Sequence, residues 1–123
     1  MKSKALTLAF AAIAATAVAA KPTQAQEAVT ITAEVVDLVC YLNMGAKGEG
    51  HRDCAQTCAD AGLALGFLGS DGNIYLASGQ GMPAAPTNPQ LRPHAEHTVE
   101  VKGTLHERSG ARSIVVESIT MPK

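Results

Sequence analysis

The sequence predicts a mainly β domain, a small antiparallel five-stranded barrel or curled sheet with one helix after the first strand. Three observations predict it. Five segments of strand length carry apolar alternation or an excess of β-branched residues. Four of them form two pairs around short turns, Ser70-Asp71-Gly72 and Arg108-Ser109-Gly110. A single stretch, starting at His51, has helical composition and ends on a glycine.

The first strand is "VTITAEVVDLVC", Val29 to Cys40, which alternates through Val29, Ile31, Ala33 and Val35 before becoming continuously apolar. Tyr41 to Gly50 contains "MGAKGEG", whose three glycines predict a loop. The helix is predicted over 51–61, about three turns, with Asp53 in its first turn and Gly62 at its C-terminal end. "LALGFLGSDGNIYLASG" then gives strands Ala64 to Leu68 and Asn73 to Ala77, since an Asp-Gly step between apolar runs favours a hairpin. Pro83, Pro86, Pro89 and Pro93 predict an extended, polyproline-like, solvated connector. "HTVEVKGTLHE" and "ARSIVVESIT" form the final hairpin. Val99, Val101 and Leu105 mark the apolar face of one strand; Ile114, Val115, Val116 and Ile119 mark the other.

The N-terminus reads as an export address. Lys2 and Lys4 precede an uncharged apolar run, Ala5 to Ala20, too short for a comfortable membrane span before Lys21 and Pro22. Residues 1–25 are expected to be a signal peptide, cut after Ala20 or, preferably, after Ala25. The expected mature chain is a single domain, 26–123, periplasmic or secreted. No cysteine ends the apolar run, so no lipid anchor is expected, and no membrane association after cleavage. Seven basic side chains then face 11 acidic ones, a net charge of −4, where the whole chain has −1. This excludes the clustered basic surface that nucleic acid or an anionic membrane requires. The mature segment has no Trp, and its aromatics are Tyr41, Phe67 and Tyr75, so the core must be largely aliphatic.

The ending "LRPHAEHTVEVKGTLHERSGARSIVVESI" resembles the C-terminal half of small secreted OB-like barrel domains through Leu91, His94, Val99, Val101, Gly103, Gly110, Ile114, Val115 and Ser118. The resemblance implies an OB-like barrel, although a helix directly after the first strand departs from the usual OB order, in which the helix comes later. From Val35 to about Tyr75 the chain also resembles a group of uncharacterised small secreted bacterial proteins. They share Cys-Tyr-Leu-x-Met-Gly followed by His-x-x-Cys-Ala-x-x-Cys. That second resemblance implies no particular activity.

The chemistry therefore rests on "DLVCYLNMGAKGEGHRDCAQTCADAG", residues 37–62, which holds all three cysteines. In a helix His51, Cys54 and Cys58 stand at i, i+3 and i+7, on one face. Cys40, at the end of its strand, returns over the helix start through the glycine loop. Cys40, His51, Cys54 and Cys58 make a tetrahedral donor set for zinc, and the same soft donors suit copper(I), with Met44 as an additional thioether ligand. The competing reading is a disulfide from Cys40 to Cys54 or Cys58. It would close a loop of about 15 residues, worth on the order of 3 kcal/mol, and leave one spare thiol. An intrahelical Cys54–Cys58 bridge would be strained.

Other chemistries lack their residues. There is no Cys-x-x-Cys, no haem-attachment motif, no Gly-x-Ser-x-Gly, no His-Glu-x-x-His and no phosphate-cradling loop. His94 and His97 form at most a minor second metal pair, and Pro93 and the strand from Thr98 disfavour it. The expected function is capture of copper(I) or zinc by a non-enzymatic metal-handling protein, with loop 41–50 as a gate and a periplasmic protein as partner. The alternative is a disulfide-stapled interaction or ligand-binding module without metal.

Overall fold

The computed structural model of the chain describes residues 14–19 and 26–123. The expected signal peptide lies largely outside them, as do both expected cleavage points. Among the described residues no helix is long and apolar enough to cross a membrane.

Five strands, β1 (Gln26–Asp37), β2 (Leu65–Gly69), β3 (Ile74–Ser78), β4 (Thr98–Arg108) and β5 (Ala111–Thr120), close into a barrel in the order β1-β2-β3-β5-β4. β1 is long enough to serve two neighbours. Residues 26–34 pair with β4, and residues 33–37 pair with β2. All pairings are antiparallel except β3 with β5, a short parallel ladder that completes the closure. Closure removes the exposed edges that a curled sheet would leave.

The alternation read from the sequence places Val35, Val99 and Val101 inside, and with Phe67 and Ile114 they are fully buried. With one aromatic among them, the core is aliphatic as composition demanded. At Gly103 the register of β4 against β5 shifts, and a Cβ there would lie 2.2 Å from the Val115 carbonyl oxygen. Only glycine permits that approach.

Two expectations are corrected. The strand predicted to run to Cys40 stops at Asp37, and a helix, α1 (Leu38–Met44), takes its place. Asp37 ends the strand by capping this helix: its Oδ1 accepts from the Val39 and Cys40 N–H groups at 2.9 and 3.1 Å. Gly45, at φ 68°, closes the other end. The proline segment is not simply an extended connector either. It contains a turn of helix, α3 (Asn88–Leu91), with proline at its start, followed by a 3-10 turn over Arg92–His94. Leu91 is fully buried and packs with the barrel core. The apolar residue had to be buried, but a lone leucine among prolines carries no period that would signal it. The helix expected over 51–61 is present as a 3-10 turn, Glu49–His51, running into α2 (Arg52–Asp60). Three short helices thus lie among the described residues, and α3 takes the place of the later helix of the OB order.

The β2–β3 turn makes a separate prediction. Asp71 Oδ1 accepts from the Asn73 N–H, while Oδ2 accepts from the Tyr75 hydroxyl at 2.7 Å and from the Asn73 side chain. The Tyr75 bond, followed by the Asn73 N–H, holds the carboxyl down to about 2 from its ordinary 3.8. A depressed folded-state value means stability that is present above the ordinary value and lost as pH falls towards about 2. Urea unfolding at stepped pH should therefore show the wild type losing more stability across that window than Asp71→Asn. Equal slopes would remove the carboxylate from the account.

Candidate metal centre

The end of β1, α1 and α2 meet at the cysteines. Because Asp37 starts a helix where the strand stops, Cys40 lies on the first turn of α1 and faces α2. All three cysteines are free thiols: Cys54 is exposed, and Cys40 and Cys58 are half-buried. Two overlapping groups of donors result. Cys40, His51 and Cys54 have ligand atoms within 4.8 Å of one another, and so do Asp37, Cys40 and Cys58. The four residues singled out from the sequence are thus brought together around Cys40, with Cys54 and Cys58 in different groups. Asp37 joins as a fifth donor.

His51 is oriented from behind. Its Nδ1 lies 2.9 Å from Oε1 of Glu96, whose side chain is fully buried. A carboxylate only accepts, so Nδ1 donates to it, and in the neutral ring that tautomer leaves the Nε2 lone pair for a metal. The other Glu96 oxygen accepts from the Gly48 N–H at 2.9 Å. Glu96 occupies this place with φ at 59°, a conformation costing a non-glycine residue about 1–3 kcal/mol. It is held there by its own N–H, which donates to the Val35 carbonyl.

The loop between α1 and α2 is likewise anchored. The Gly48 N–H is shared between Glu96 and Glu34, and Lys47 reaches Glu34 at 3.5 Å. The gate expected over 41–50 is corrected accordingly: its first residues are helical and its last part is pinned by two carboxylates. α2 is fastened on its other side. Arg52 donates to the carbonyls of Ala95 and Pro93, Gln56 donates to that of Arg92, and Arg92 grips Asp60 through two bonds. This makes α2 a fixed platform for Cys54 and Cys58.

Asp37 sets the electrostatics of the inner group. The residue is fully buried, and Oδ2 has no hydrogen bond of normal geometry. Burial pushes its carboxyl up, but the Cys40 N–H, the weak S–H donors of Cys58 and Cys40 and the Val39 N–H outweigh it and hold the group below its ordinary value. The reciprocal effect keeps the thiols protonated. Cys58 is pushed up to about 12, first by its bond to Asp37 and then by burial. Cys40 is raised by burial and by the same carboxylate.

His94 and His97 stand apart from the donor groups. His97 Nε2 is engaged with Glu49 at 2.8 Å, and neither His94 nor His97 joins a donor group among the described residues. Met44 ends α1 with 72% of its surface exposed, so it is no core filler. Sequence reasoning missed two residues. Asp37 had a signal, an Asp before an apolar stretch that Gly45 closes, which is a capped helix. Glu96 had none, because it lies 45 residues from its histidine.

No protein-family model, curated protein or solved structure matches the chain.

Replacing Glu96 by Gln should weaken metal uptake roughly ten- to a hundredfold while the fold survives, since the amide keeps the shape but faces the Gly48 N–H and the histidine with the wrong mix of donors. A competition titration against a chromophoric chelator checks this. Unchanged affinity would leave Glu96 a purely structural role.

Proposed function

We propose that this is an exported, periplasmic or secreted protein that captures a soft metal ion, copper(I) or zinc, and does no chemistry on an organic substrate. One observation carries the reading: Cys40, His51 and Cys54 place two sulfurs and an imidazole within 4.8 Å of one another, with the imidazole tautomer set by a buried carboxylate. Thiolate and neutral imidazole donors suit copper(I) and zinc and have little affinity for magnesium or calcium. Cys58 and Met44 complete the proposed ligand set. Cys54 is exposed, which gives an ion a route in and out without unfolding. The partner that delivers or removes it would be a periplasmic protein meeting α1, where Val39, Leu42 and Met44 are exposed.

The experiment is native and denaturing mass spectrometry of protein recovered from the periplasm without chelator. A native adduct of copper or zinc, lost on denaturation to leave three reduced thiols, is the expected result. A metal-free chain two hydrogens lighter than the reduced form would mean a disulfide, with Cys40 paired to Cys54 or Cys58, and would replace metal capture by the stapled module.

A further inference from the structure

The two donor groups share one atom, the sulfur of Cys40. We infer that the centre holds two ions, with the Cys40 thiolate bridging an outer position on His51 and Cys54 and an inner zinc position on Asp37 and Cys58. This inference rests on the metal-binding reading and extends it.

Asp37 defines the inner position. A polar atom buried without a partner is costly unless something satisfies it. Oδ1 is consumed by the two N–H groups at the start of α1, yet Oδ2 is buried and has no such bond. Beside this carboxyl lie the sulfurs of Cys40 and Cys58, whose S–H groups are weak donors. The sulfurs of Cys40 and Cys58 and a carboxylate oxygen of Asp37 lie within 4.8 Å of one another, a donor set suited to a cation. Helix capping does not require that second oxygen. Asparagine caps as well as aspartate.

Donor type selects the inner ion. A carboxylate oxygen is a regular zinc ligand and a poor one for copper(I), which favours thiolate and thioether. The outer position, with two sulfurs and an imidazole, accepts zinc or copper(I).

The test is a zinc titration of the full chain, reduced and stripped of metal, read as ions bound per chain by native mass spectrometry, with circular dichroism to verify folding. The wild type should bind two ions. Asp37→Asn, which keeps the cap, and Cys58→Ser should each bind one, and so should Cys54→Ser by loss of the outer ion. If the wild type binds one ion and Asp37→Asn does not lower it, the inner position is wrong while metal capture stands. Two ions in both Asp37→Asn and Cys58→Ser would equally overturn the assignment. No zinc and no copper(I) bound by the wild type would sink both readings.

Discussion

Cys40→Ser should abolish metal uptake while leaving the barrel folded. Cys40 is the one residue common to both donor groups, so its sulfur is needed wherever the ion sits. A serine hydroxyl has nearly the same volume but is a poor ligand for copper(I) or zinc. The loss should exceed the roughly hundredfold effect of a supporting partner such as Glu96. Folding should be spared, because Cys40 lies on α1 and belongs to neither the barrel core nor a disulfide. Its N–H bond to Asp37 is made by the backbone and survives the substitution. Cys54→Ser, by contrast, should weaken uptake without eliminating it. The decisive comparison is metal content and melting temperature measured on the same samples. A Cys40→Ser protein that retains full metal content would place the centre elsewhere. One that melts far lower than the wild type would mean that the thiol is structural.

Phe67→Ala should have the largest effect on stability, lowering the free energy of unfolding by about 3–5 kcal/mol. Phe67 is fully buried on β2, the only aromatic ring among the largest fully buried side chains, and it sits in the core with Val35, Leu65, Leu91 and Ile114. Val35, Leu65 and Ile114 come from strands joined in a closed barrel and Leu91 from α3 packed against it, a frame that cannot collapse into the vacated space as a loose sheet could. A loss of that size is a large share of the stability of a small domain, typically about 5–15 kcal/mol in total. Denaturant unfolding at neutral pH measures it. A cost under about 1.5 kcal/mol, the usual scale for volume-conserving swaps, would mean that the core repacks freely.

Much of this fold was legible along the chain. Alternation in β1 and β4 marked the residues that face inward, because burial on one side of a strand imposes a period of two on its own sequence; in β5 the run Ile114-Val115-Val116 carried no such alternation. The Asp-Gly turn placed β2 and β3 to within one residue, since the backbone conformation it needs is local. The spacing of His51, Cys54 and Cys58 was likewise sufficient to place them on one helix.

Local pattern misled where two signals overlapped. "DLVC" continued the apolar run of β1, so the capped helix from Asp37 to Gly45 read as more strand and then loop. A helix of seven residues is too short to show its own period, and its existence depends on the Asp37 cap and the Gly45 terminus. Leu91 was hidden for a similar reason: one apolar residue among prolines carries no period.

By itself, then, the sequence determined the class of the fold, the aliphatic make-up of its core, and the gathering of soft donors within 37–62. Those follow from composition, periodicity and spacing, which are properties of neighbouring residues. The tertiary structure alone decided that Asp37 faces Cys40 and Cys58, and that Glu96 stands behind His51. It also decided that Cys40 belongs to two donor groups at once. Contacts at 3–5 Å between distant segments exist only because β1 pairs with both β2 and β4, which carries residues 95–97 alongside Val35 and beneath the helices. No local pattern encodes such a meeting, because its free energy comes from closing the barrel as a whole.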